Sequence, residues 1–196
     1  MLIKKDDLKQ KEPEEGDQFA RVLRTKGQNR SLLSPKTAHL DSLIGDVHRD
    51  ETIHILTRGA WSTPHLIDHL LGQIGSAEAY VTSWSVKEQA VRILLRLIDE
   101  KRLTHIYGLF DERIRVQCPQ AHQLIKNQIT DIRLTKIHAK LTVLINDDWA
   151  IGISSSANLT RNPRIESYVI STHRDIAEFY REIILAEIQN ANPFEL

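Results

Sequence analysis

Apolar and polar positions change period several times along the chain, and each change marks an element. "ETIHILT" (51–57) alternates with period two, the signature of a strand. "PHLIDHLLGQI" (64–74) spaces its apolar residues three and four apart. Thr63 stands before it as a cap and Pro64 at its first position, so a helix is predicted. "AEAYVTSW" (77–84) reads as a strand, and "KEQAVRILLRLIDEKR" (87–102) is the clearest amphipathic helix. "THIYGLF" (104–110) and "RIRV" (113–116) read as strands, and "PQAHQLIKNQI" (119–129) as a helix. "DIRLTKIHAKLTVLI" (131–145) holds one or two strands and "WAIGISSSA" (149–157) another, with a turn at "NDD" between them. "ESYVIS" (166–171) is a further strand, and "RDIAEFYREIILAEIQ" (174–189) a closing helix. Strands alternating with helices predict an α/β domain, a mixed β-sheet flanked by helices.

The first 45 residues differ from this pattern. Charges of both signs crowd the beginning, and "KEPEEGD" (11–17) contains breakers, so a flexible tail is expected there. "RVLRTKGQNRSLLSPK" (21–36) carries Arg21, Arg24, Lys26, Arg30 and Lys36 without an acidic residue, an arm suited to a polyanion. The expected division is a tail and basic arm over 1–45 and one domain over 46–196. The 26 basic and 26 acidic residues cancel, so any attraction to nucleic acid must come from local patches. A single cysteine, Cys118, rules out an intrachain disulfide and fits a reducing compartment. The N-terminus has no apolar h-region, and no apolar run reaches the ~18 residues of a membrane span. A cytoplasmic protein without a membrane partner is expected.

The chemistry concentrates between residues 136 and 170. As a strand, "KIHAKLTVLI" puts His138, Lys140 and Thr142 on one face. Ile137, Ala139, Leu141, Val143 and Ile145 fall on the other, which should pack under helices. Ser156 and Asn158, again two apart, can point together from the end of the next strand, and Glu166 begins the one after. These groups can handle a phosphodiester. An imidazole can attack phosphorus and form a covalent intermediate. Lysine and asparagine supply donors to the non-bridging oxygens. A carboxylate behind the histidine can fix its tautomer.

This run resembles the phospholipase D superfamily, whose signature is H-x-K-x4-D followed by G-S-x-N and a downstream Glu. "HAK" matches at His138 and Lys140, "SSAN" at Ser156 and Asn158 with Ser155 where Gly is usual, and "RIES" supplies Glu166. The motif's Asp position is Ile145, so the motif is a variant one; Asp147 or Asp148, just beyond, could take its role. The resemblance implies a phospholipase D-like α/β/α sandwich with His138, Lys140, Asn158, Glu166 and Ser156 as catalytic residues. It also implies a metal-independent phosphodiesterase with no cofactor, working through a phosphohistidine. The family's mechanism uses two histidines. One H-x-K per chain therefore implies a homodimer with the site on its two-fold axis.

Single-motif members of this kind are more often nucleases, and the basic arm leans the same way. Arg161 and Arg164, between Asn158 and Glu166, are placed to contact a polyanion beyond the scissile group. The expected partner is nucleic acid, with DNA favoured. The alternatives are a catalytically impaired nucleic-acid-binding module and a lipid phosphodiesterase. Trp61, Ser83, Trp84 and Ser85 lie at the ends of elements from which loops over a site often come. His65 and His69 are four apart on a predicted helix, but no third ligand accompanies them and no metal is expected.

Overall fold

The computed structural model describes residues 26–34, 39–129, 131–161 and 163–191. Arg21, Arg24 and Lys36 of the basic arm lie outside these residues. The elements in chain order are β1 (Gln28–Ser34), α1 (Leu40–Ile44), β2 (Glu51–Thr57), α2 (Thr63–Ile74), β3 (Ala77–Ser83), α3 (Glu88–Asp99) and β4 (Leu103–Asp111). They continue with α4 (Ile114–Gln117), α5 (Pro119–Gln128), β5 (Asp131–Thr135), β6 (Leu141–Ile145), β7 (Ala150–Ser155), β8 (Glu166–Ser171) and α6 (Arg174–Asn190).

All eight strands form one mixed sheet in the order β1-β2-β8-β7-β6-β3-β4-β5. The β1–β2, β3–β4 and β4–β5 pairs are parallel, and the central pairs are antiparallel. One face carries the larger core. Ile53, Ile55, Ala79, Val81, Leu144, Ile151, Ile153, Tyr168 and Ile170 pack there against α2, α3 and α5. The other face carries a smaller core, in which Tyr80, Leu109, Val143 and Ala150 meet Ala177, Ile184 and Ile188 of α6. Gly152 lets α6 dock closely, because a Cβ there would stand 3.3 Å from the Ala177 Cα. Each aliphatic side chain buried in these layers contributes roughly 1.5–3 kcal/mol relative to exposure. Helices on both faces make the α/β/α sandwich that the strand–helix alternation predicts. No helix of the described residues is long and apolar enough to cross a membrane.

Four local expectations change. "RIRV" is no strand: residues 114–117 form the short α4. β4 already has β3 and β5 as neighbours, and the Arg113 N–H turns back to the Asp111 carboxylate at 3.1 Å. The N-cap position of α2 is Ser62, not Thr63. The Thr63 hydroxyl instead meets the Tyr168 hydroxyl at 3.2 Å. Thr142 does not share an open polar face with His138; it is buried, because β6 is central and covered on both sides. Ala139, expected under helices, is exposed.

β1 draws residues 28–34 into the sheet, upstream of the expected domain start at residue 46. Arg30 of the basic stretch is committed there: its guanidinium bonds both carboxylate oxygens of Glu51 and the Ile44 and Asp46 carbonyls. Burial of Glu51 opposes ionisation, but the bonds from Arg30 and the His48 N–H outweigh it and hold the carboxyl below its usual range.

Candidate active site at one end of the sheet

The register brings seven strand ends to a single rim. Thr57 at the end of β2 pairs with Glu166 at the start of β8, and Leu141 at the start of β6 pairs with Ser154 near the end of β7. β3 ends beside β4 at Ser83, and Asp111 of β4 pairs with Thr135 of β5. Every sequence-predicted catalytic residue lies on or just beyond this rim.

His138 and Lys140 lie ahead of β6, on an extended segment, residues 136–140, that forms no regular ladder. The strand expected from residue 136 begins only at Leu141 because other groups take the backbone bonds here. Thr82 of β3 bridges two of them: its hydroxyl donates to the Ala139 carbonyl and accepts from the Leu141 N–H, both at 2.9 Å. The Lys140 carbonyl accepts the Ser155 N–H at 3.0 Å. The imidazole is thereby left exposed at the rim.

Lys140 Nζ stands 3.1 and 3.2 Å from the two ring nitrogens of His138 and donates to the His138 carbonyl at 2.6 Å. Burial pushes the Lys140 pKa down from its ordinary value, and the negative charge of Glu166 pulls it partly back. Ammonium and carboxylate thus share the site electrostatically.

Ser156 and Glu166 form a pair across the β7–β8 connection. The Ser156 hydroxyl donates to Glu166 Oε2 and accepts the Ser167 N–H at 3.0 Å. The Ser156 N–H donates to the Ser167 carbonyl at 3.0 Å. Asn158 turns elsewhere: its Oδ1 accepts from the Ser83 hydroxyl at 3.4 Å. Ser156 and Asn158 therefore serve different neighbours instead of pointing together, because the chain leaves the ladder after Ser155. The carboxylate expected behind His138 is engaged with Ser156.

Arg161 and Arg164 are both exposed in the connection. Arg161 borders a small cavity of about 120 Å³ with Ser62, Lys87 and Thr160. The His65 pKa is lowered, first by burial and then by the Arg161 charge. His65 is held by Ser62 (Nδ1 to Oγ 2.7 Å), and His69 by Asp41 and Gln73.

Sequence reasoning named Trp84, which stands beside His138, but missed the ion pair behind it. Trp84, just past β3, meets the imidazole edge-on with ring centroids 5.9 Å apart. Arg113 lies over Trp84, its guanidinium carbon 4.7 Å from the ring centre. Asp111 holds Arg113 through Nε at 2.6 Å and a second nitrogen at 3.2 Å, and Arg113 keeps the Asp111 carboxyl below its usual range. Trp84 was visible as a strand-end aromatic. Nothing local in "FDERIRV" marks Arg113 as a neighbour of Trp84, which closes a different strand.

No family model matches the sequence, and no curated protein matches it. Solved structures do match. A phospholipase D family member, Nuc from Salmonella typhimurium, is 16% identical with a TM-score of 0.51, over 67% of this chain and 90% of that one. NucT from Helicobacter pylori is 13% identical with a TM-score of 0.55, over 74% of this chain and 100% of that one. TrmBL2, an archaeal chromatin protein whose structure shows a novel mode of DNA binding, is 10% identical with a TM-score of 0.51. That match spans 76% of this chain and 55% of that one. The chain has the phospholipase D-like α/β fold.

Proposed function

We propose that this chain is a metal-independent phosphodiesterase, a nuclease that cleaves DNA or RNA through a covalent phosphohistidine at a site shared by two copies. The observation that carries this is the exposed His138 imidazole in contact with the Lys140 ammonium, with Asn158 and Glu166 on neighbouring strand ends. A ring nitrogen of His138 attacks phosphorus while Lys140 and Asn158 donate to the non-bridging oxygens, where negative charge accumulates. The bond to the leaving oxygen breaks, and the second copy's His138 protonates that oxygen. It then takes a proton from water, which attacks phosphorus and releases the first histidine. Glu166 acts through Ser156 and on the Lys140 charge. Arg161 and Arg164 contact backbone phosphates beyond the scissile one, which adds affinity without sequence information.

Two features support activity and a shared site. Ile145 pairs with Glu78 and Ala150 at the end of β6 remote from His138, so the missing motif Asp leaves the rim intact. Leu33 and Leu56 are 72% and 49% exposed on β1 and β2, an apolar surface beside β8 that a second copy would cover. The partner is then nucleic acid, with DNA favoured and no membrane, in the cytoplasm. The second reading, a binding module on the same fold, is favoured by the likeness to the DNA-binding TrmBL2.

The test is incubation in EDTA at low salt with plasmid, linear and single-stranded DNA and RNA, with His138→Ala beside wild type. Low salt preserves backbone binding. Cleavage by wild type and a loss of at least roughly 10²–10⁴-fold in the variant is expected. Retention of DNA without cleavage moves the chain to the binding reading. Absence of both cleavage and binding directs attention to phospholipids and small phosphodiesters. Light scattering should give a dimer, and an active monomer would rule out the shared site.

A further inference from the structure

We propose that Asp111 is a positioning residue for His138, acting through Arg113 and Trp84. The carboxylate is almost wholly buried, with its side chain 4% exposed, and among the described residues the hydrogen bonds it accepts come from the Arg113 N–H and guanidinium. Its fork on Arg113 sets that guanidinium over Trp84, and Trp84 meets the edge of the imidazole. The 136–140 segment has no ladder partner; Thr82 holds its main chain, and the Trp84 contact adds a restraint on the ring. One buried anion thus restrains, through two side chains, the ring of the residue proposed to attack. A carboxylate serving only to close the turn at residues 111–113 would need the Arg113 N–H bond and neither the guanidinium fork nor the Trp84 stack.

The role in turnover rests on the phosphodiesterase reading, while the placement of the imidazole does not. The experiment therefore reads placement directly. The His138 ring resonance is identified by its loss in His138→Ala, then followed by NMR in Asp111→Asn, Arg113→Ala, Trp84→Ala and Trp84→Phe. Trp84→Phe keeps an aromatic ring in place and leaves the Arg113–Asp111 pair intact, so a folded variant is available even where Asp111 and Arg113 variants unfold. The His138 signal should move in Arg113→Ala, Asp111→Asn and Trp84→Ala and return toward its original place in Trp84→Phe, while His105 and His173 keep theirs. In the cleavage assay, kcat should fall by roughly 10²-fold in Asp111→Asn with little change in KM, as expected for a misplaced reacting group. A His138 signal unmoved in Arg113→Ala and Trp84→Ala would overturn the proposal. Failure of wild type to cleave any phosphodiester would leave this spectroscopic result standing and would count against the phosphodiesterase reading alone.

Discussion

Residues 136–140 and residues 156–166 bring polar groups to the same rim, but they are held there by different means. The first segment hangs on a side chain from β3 and a main-chain group of β7: Thr82 takes the Ala139 carbonyl and the Leu141 N–H, and the Ser155 N–H meets the Lys140 carbonyl. The second begins and ends in its own antiparallel pair, with Ser156 bonded to both Ser167 and Glu166, and only its middle, Asn158 and Leu159, reaches out to Ser83 and Lys87. Bonds within one hairpin form with the hairpin. Bonds from other strands exist only once the whole sheet is assembled. His138 therefore sits on the segment whose geometry depends most on the rest of the molecule.

Substitutions that separate the two segments test this difference. The largest effect is expected from Thr82→Val, which keeps the shape but leaves two backbone groups without their partner. It should cost about 1–3 kcal/mol of stability in urea unfolding and depress cleavage as well, because His138 loses its restraint. Ser156→Ala should cost only about 0.5–1.5 kcal/mol, with residues 136–140 undisturbed. Equal losses in the two variants would mean that the segments are one unit. Glu166→Gln acts at smaller amplitude and with a definite sign. The Glu166 charge raises the Lys140 pKa against the lowering effect of burial, so its removal lowers that pKa further. The alkaline limb of a cleavage–pH profile should then move to lower pH; a shift to higher pH would contradict the coupling.

The smallest expected effect is on acid stability. The Asp111 and Glu51 carboxyls titrate below their ordinary values of 3.8 and 4.5 in the folded chain. Their contribution is present above those values and is lost as pH falls through the depressed folded ones, where the unfolded chain takes up protons first. Stability should thus fall below about pH 4. Asp111→Asn should flatten that fall while lowering stability at neutral pH. An unchanged acid slope in this variant would remove Asp111 from the account.

The strand and helix order was legible along most of the chain because period-two and helical apolar patterns are local. The same locality explains the errors. "RIRV" alternates like a strand, but the sheet leaves no partner for it beside β4. "KIHAK" alternates too, yet its backbone is claimed by Thr82 and Ser155. Alternation also placed Thr142 with His138 on an open face, and only the position of β6 in the middle of a doubly covered sheet shows why Thr142 is buried.

By itself the sequence determined which residue types are available for phosphodiester chemistry and their spacing: His138 two residues before Lys140, Ser156 two before Asn158, and Glu166 opening the next strand. Spacing along the chain is covalent and survives without a fold. Only the tertiary structure decided who stands beside whom. It joined Glu166 to Ser156 instead of to His138, turned Asn158 toward Ser83, and placed Trp84 against the imidazole with Arg113 and Asp111 behind it. Those neighbours come from strands distant in sequence, and their order across the sheet is set by packing both faces under helices, which no local pattern encodes.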